Sequence, residues 1–207
     1  KELEGKDEAV IRACIEAAHA LGRSAKSKAF DETLLKLGKD SSQSTELRLK
    51  ALAAITALPT PPDSKIFGFL RNQVHPEKPA MQRAAAASQL ARSKLSNTQQ
   101  VTLIQSIPIV GPLELTQLLR AIKEKDEKTG KALVAALGKA KGLGSLSESG
   151  LRAALDSFPA QVREIAKPLL EKLAINLEAQ AKRLAKLEKS LKDGDIGRGH
   201  LIFNGKA

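Results

Sequence analysis

The sequence predicts an all-α protein. Three observations carry that prediction: apolar residues fall at helical spacing, aromatics are nearly absent, and a helix built on arginine and alanine recurs along the chain. Of the 207 residues, 42% are hydrophobic, which suits a folded chain with a buried core. Only five residues are Phe and none is Trp or Tyr, so the core has to be built from Ala and Leu. Small apolar side chains suit helices packed closely on other helices.

Taken in order, Asp7 to Leu21 is expected as the first helix. Its apolar stripe is Ala9, Val10, Ala13, Cys14, Ala17, Ala20 and Leu21, and Gly22 ends it. Cys14 sits on the stripe as a small buried hydrophobe. Ala29 to Leu37 follows, stopped by Gly38, and then the polar turn "KDSSQS". Thr45 to Leu58 places Leu47, Ala51, Ala54, Ile55 and Leu58 at core spacing, and Pro59, Pro61 and Pro62 end it. Thr60 and Asp63 have the spacing of a capping box for a fourth helix, which presents Ile66, Phe67, Phe69, Leu70 and Val74. Ala80 to Leu95 is strongly helical. Ser96 and Gln99 form a second capping-box pair, opening a helix through Ile107.

Pro108, Gly111 and Pro112 separate that helix from Leu113 to Ile122, and Lys131 to Leu137 follows. Gly138 to Gly150, "GKAKGLGSLSESG", is expected as a hinge. Its glycines fit neither a phosphate-cradling loop nor a dinucleotide turn, because no strand precedes them. Leu151 to Phe158 is a short helix closed by Pro159. A long helical stretch then runs towards Leu191, with Val162, Ile165, Leu169, Leu173, Leu177, Leu184, Leu187 and Leu191 along one face. Pro168 predicts a kink or restart near Ala166–Lys167. Asp195 is placed to cap a final short helix through Phe203.

Arg followed by small and apolar residues recurs from Arg12, Arg48 and Arg83, with Arg120 continuing more loosely. Each unit reads as one helix, a turn and a second helix, the pattern of an α-solenoid of about ten helices in antiparallel pairs. The interval lies below the roughly 40–47 residues of HEAT units and near the about 34 of a TPR. The Trp and Tyr of a TPR are absent, and the arginine–alanine helix is more HEAT-like. An irregular helical bundle with chance spacing is the alternative. Arg12, Arg48 and Arg83 are expected to make salt bridges or cap carbonyls between units, not to hold a ligand.

Net charge is +11, which invites a nucleic-acid reading. Most of the Lys stands among Glu at helical spacing, as in Lys182, Lys186, Glu188 and Lys189, the pattern of a solvated face. With five Phe in all, stacking side chains for single strands are scarce. Cys14 is the single cysteine, so no intrachain disulfide can form. His19, His75 and His200 are scattered, with no metal partner at helical spacing. No catalytic, cofactor-binding or metal-ligating residue is therefore assigned. No apolar run reaches the length of a membrane span. The opening "KELEGKDEAV" resembles neither a signal peptide nor a Met start, and the chain is expected to be an internal fragment.

The last stretch carries a resemblance. Gly194-Asp195, then Arg198 and Gly199, a hydrophobic run ending in Phe203, and Gly205-Lys206-Ala207 look like the opening of a class I cytochrome c domain. Before it, "LRAALDSFPAQVREIAKPLLEKL" from Leu151 to Leu173, followed by a Leu/Lys-rich helix, resembles the same region of PVC-type haem-binding multidomain proteins. Those join a propeller-type dehydrogenase domain, a HEAT-like helical region and a C-terminal cytochrome c. The resemblance covers residues 147–207 and is architectural before them. It implies helical repeats over 1–137, the hinge over 138–150, a helical pair with a long helix over 151–192, and a truncated start of the cytochrome domain over 193–207. It also implies haem c attached beyond Ala207, neighbouring domains as partners, and an extracytoplasmic, periplasmic setting. His200 precedes the expected haem-attachment motif and is not its histidine. Asp195, Arg198, Gly199 and Phe203 would pack against the cytochrome. The function so implied is a non-catalytic scaffold between a dehydrogenase and its electron acceptor. The alternative is a basic HEAT-like nucleic-acid binder, similar in outline to the alkylpurine glycosylases.

Overall fold

The computed structural model describes residues 9, 11–13, 15–16, 28–55, 58, 60–191 and 195–205, apart from the side chains of residues 28–29, 175–178 and 190–191. Every regular element among the described residues is a helix. Residues 9, 11–13 and 15–16 are helical and bury Ile11 and Ile15. Ala9 and Ala13, expected on the buried stripe, are exposed instead. Two isoleucines one turn apart bury more apolar area than alanines, and they decide which face turns inward. Val10, Cys14, Ala17, His19, Ala20, Leu21 and Gly22 lie outside the described residues.

Helices α1 (Lys28–Lys39) and α2 (Thr45–Ala54) follow. Gly38 does not stop α1. It lies inside the helix, buried against α2, where a Cβ would meet Leu52 Cδ2 at 2.5 Å. The missing side chain lets the two helices close. α2 buries Leu47, Leu49, Ala51, Leu52 and Ala54, because α1 and a later helix over Ala80–Arg92 both pack on it. It ends before the expected Leu58: Ile55 is extended, and its carbonyl accepts from Arg92 at 3.2 Å rather than continuing the helix. Ile55 and Leu58 stay buried.

In α3 (Ser64–Gln73) the N-cap is Asp63, whose Oδ1 accepts from the Ile66 amide at 2.9 Å. The capping box expected from Thr60 does not form, because Pro62 keeps Pro61 out of helical geometry. α4 (Ala80–Arg92) and α5 (Asn97–Ile104) come next. The Ser96–Gln99 capping box is present: Ser96 Oγ accepts the Gln99 amide at 3.3 Å, and Gln99 Oε1 accepts the Ser96 amide at 3.0 Å. Pro112 opens α6 (Pro112–Ala121), where its missing N–H costs nothing. Asp126 caps α7 (Glu127–Gly138) through the Thr129 amide. A 3-10 turn, Leu143–Ser145, and Ser147, the cap of α8 (Glu148–Leu155), fall in the stretch read as a hinge. Leu143 is buried there.

The long α9 (Ala160–Leu191) runs through Pro168 without the expected restart. Pro168 is on the exposed side, where water can take the carbonyl left without an amide donor. The first half of α9 buries Val162, Ala166 and Leu173. Ile165, also expected on that face, is exposed (47%), and from 179 to 189 every residue is exposed, including Leu184 (58%) and Leu187 (50%). Of the expected apolar stripe, Val162 and Leu173 are therefore core, with Leu169 packed against it. The side chains of Leu177 and Leu191 lie outside the description. Asp195 caps α10 (Ile196–Phe203) through the Arg198 amide at 3.1 Å, as its position predicts. Ile196, Leu201, Ile202 and Phe203 are all exposed.

Helix contacts follow a repeating order. α2 packs on α4 and α4 on α6, while α1 packs on α3, α5 on α7 and α7 on α9. Sequence neighbours pair as well: α1 with α2, α3 with α4, α8 with α9. Touching the next helix and the next but one is the contact order of a helical repeat array. The α4–α6 contact is the most extensive, with Ala86 and Ala87 fully buried.

Arginines tie the stack together, as expected. Arg12 Nη1 bonds Glu46 of α2 at 2.7 Å. Arg48 donates to the Gly38 carbonyl at 3.1 Å and stacks over Phe69 at 3.7 Å. Arg83 bonds Glu114 of α6 at 3.0 Å and the Lys78 carbonyl at 2.7 Å. Glu114 is only 2% exposed, and Arg83 is its ion-pair partner.

Two stability outcomes follow. Arg83→Ala strands a buried carboxylate and should lower the unfolding free energy by about 3–5 kcal/mol in urea titration. Adding Glu114→Gln to it should recover part of the loss, and no recovery would show that the pair is not the cause. Gly130 of α7 faces Val162 and Phe158, where a Cβ would meet Val162 Cγ2 at 2.6 Å. Gly130→Ala should therefore destabilise by about 1–3 kcal/mol, more than its helix-propensity gain of about 1 kcal/mol. Gly68→Ala, in open space on α3, should instead stabilise the protein.

Candidate interaction site

α6 and α8, with the segments that follow α6 and precede α8, enclose a groove of about 560 Å³. Helical spacing aims Thr116, Leu119 and Arg120 of α6 into it, one turn apart. The α8 wall is made of small residues, Gly150, Ala153 and Ala154, with Ser157 beyond them. Ser145, Leu146 and Ser147 of the 3-10 turn and cap, and Ile122, Lys123 and Lys125 after α6, complete the lining.

The cationic segment is held from behind by one buried side chain. Gln100 of α5 is 1% exposed. Its Oε1 accepts the backbone amides of Lys123 at 2.7 Å and Glu124 at 2.9 Å, and its Nε2 donates to the Leu95 carbonyl at 3.1 Å. The Lys125 ammonium lies 4.3 Å from the centroid of the buried Phe158 ring, a cation–π contact that links this segment to the end of α8. Burial, and then the neighbouring Lys123, hold the Lys125 ammonium below its ordinary pKa.

None of the lining residues is acidic. Among the described residues Arg120, Lys123 and Lys125 have no carboxylate within ion-pair distance, whereas Arg12, Lys39, Lys50 and Arg83 each have at least one. Arg120 does not continue the arginine series in register. Arg48 and Arg83 stand in the fourth position of their helices, whereas Arg120 is in the last turn of α6 and faces the groove. The lining also carries four hydroxyls, with no histidine or carboxylate to act as their base. Ser147 Oγ already accepts the Gly150 amide at 3.0 Å.

Of the histidines, His75 and His200 are among the described residues, and they have separate surroundings. His75 lies 3.5 Å from Glu77 beside a separate cleft of about 210 Å³, and His200 is exposed on α10. Among the described residues no group of three His, Cys, Asp or Glu side chains could hold a metal ion. No helix among them is long and apolar enough to cross a membrane. In the sequence Arg120, Lys123 and Lys125 fall within six residues, interleaved with Glu124, and that local pattern does not mark a groove, because the other wall comes from α8.

Gln100→Leu removes the acceptor of two amides and the donor to Leu95. The cost should be about 1–3 kcal/mol. Native-state hydrogen exchange should show the Lys123 and Glu124 amides losing protection. Unchanged protection at both would show that the loop holds itself.

Comparison with known proteins finds no matching family model, no matching curated protein and no matching solved structure.

Proposed function

We propose that the chain is a non-catalytic helical-repeat scaffold, HEAT-like in kind, that mediates contacts between domains or proteins. The observation that carries this reading is the stacked order of the helices, with bonds from Arg12, Arg48 and Arg83 reaching between neighbouring helices. Such arrays present long surfaces suited to docking. A groove lined by cations, hydroxyls and short apolar side chains belongs with recognition rather than bond-making. The nucleic-acid reading is less favoured, because the lining includes no aromatic on which a base could stack.

The larger protein is proposed from the resemblance over residues 147–207: a haem-containing, dehydrogenase-like, extracytoplasmic protein with the scaffold between its propeller and its cytochrome c. An Asp195-capped short helix after a long Leu/Lys-rich one supports that assignment. So does the exposure of Ile196, Leu201, Ile202 and Phe203, an apolar surface suited to a neighbouring domain. The test is the coding sequence beyond Ala207. A Cys-x-x-Cys-His motif should follow closely. A protein extended by roughly a hundred residues, a common domain size, and made with haem-maturation machinery should be red with a c-type absorption spectrum. Continuation without such a motif removes the family assignment.

A further inference from the structure

We propose that the groove between α6 and α8 is the docking site for an acidic, partly apolar peptide segment of a partner protein. This rests on the scaffold reading and adds the chemistry of what is held. A volume of about 560 Å³ falls in the range of specific binding sites, roughly 300–1,000 Å³.

Three cations reach the groove without carboxylate partners among the described residues, so charge complementarity calls for an anionic occupant. Arg120 offers the planar fork that matches a carboxylate in two bonds, and Lys123 and Lys125 add point charges. Leu119, Ile122 and Leu146 supply apolar lining between them, which a peptide carrying both acidic and aliphatic side chains would cover. Gly150, Ala153 and Ala154 keep the α8 wall shallow, so a backbone can come close to it. Thr116 and Ser157 offer hydroxyls to peptide amides and carbonyls, and Ser145, whose hydroxyl donates to the Gly142 carbonyl at 2.6 Å, can accept from a peptide amide.

Other anionic occupants fit less well. A single nucleic-acid strand needs aromatic platforms, which the lining lacks, and a longer run of phosphate contacts than three cations supply. The Gln100 clamp fixes the Lys123 backbone and the Phe158 contact holds the Lys125 ammonium before any partner arrives, which lowers the ordering cost of binding.

The probe is a fluorescein-labelled peptide of Glu and Leu at helical spacing, titrated with the whole chain and followed by fluorescence anisotropy. The triple variant Arg120→Ala, Lys123→Ala, Lys125→Ala should weaken binding by about tenfold or more. Ala154→Leu, which fills the groove and leaves the charge unchanged, should weaken it as well. A control triple, Lys182→Ala, Arg183→Ala, Lys186→Ala on the exposed part of α9, removes the same charge and should leave affinity within about twofold, as expected of screened, distant charges. Far-UV circular dichroism confirms that each variant is folded.

Absence of peptide binding at low salt overturns the proposal. So does equal loss in the groove and control triples, or a single-stranded oligonucleotide binding more tightly than the peptide with the same dependence on Arg120. Haem attachment in the extended protein without peptide binding would sink the groove and leave the scaffold. Peptide binding without a haem motif would sink the family assignment and leave the groove.

Discussion

Glu114 carries a carboxylate into the helix stack at 2% exposure, and Arg83 is what keeps it there. Desolvating a carboxylate is costly, so α4 and α6 have to meet in the one register that brings the guanidinium to it. The same arginine donates to the carbonyls of Pro76 and Lys78, so it also closes the turn between α3 and α4. Three helices thus take their relative positions from one side chain. α6 in turn carries Thr116, Leu119 and Arg120 into the groove. A slip at Arg83 would reach the candidate site through the backbone of α6, without touching any residue that lines it.

Close approach is the second constraint. With no Trp or Tyr and few Phe, the chain gains burial by bringing helix axes together rather than by filling wide gaps with rings. Ala86 and Ala87 are fully buried on α4, Gly38 lets α1 close on α2, and Gly130 lets α7 close on the Phe158–Val162 stretch. Phe158 then serves twice, packing over Gly130 and carrying the Lys125 ammonium on its ring. Packing in one layer therefore fixes a charge in the groove.

Polar side chains that reach across repeats complete the frame. Arg92 takes the Ile55 carbonyl, Gln99 takes that of Pro62 at 2.6 Å, and Gln100 takes two amides of the loop after α6. Each satisfies backbone groups between helices, after α2 and α6 and before α3, which lack partners within a helix. Gln100 is the one whose bonds shape a surface that could bind something.

Helix content was legible because its causes are local. Apolar spacing, the Ser96–Gln99 pair and the Asp195 cap depend on residues within a turn or two of one another, and they appear as expected. The roles of Arg12, Arg48 and Arg83 were also legible, since a recurring cation among alanines needs a partner on the neighbouring unit. Other features depended on what stood opposite. Gly38 looked like a stop and is a packing contact, because Leu52 faces it. Leu184 and Leu187 looked like core and are exposed, because they lie in the stretch of α9 where no residue from 179 to 189 is buried. Composition, helical period and capping by themselves determined that this chain is a row of helices joined by short turns. Only the tertiary structure decided which faces meet, and that Arg120, Lys123 and Lys125, neighbours in sequence, face the small residues of α8 across one groove, because its two walls come together over a sequence distance that no local pattern spans.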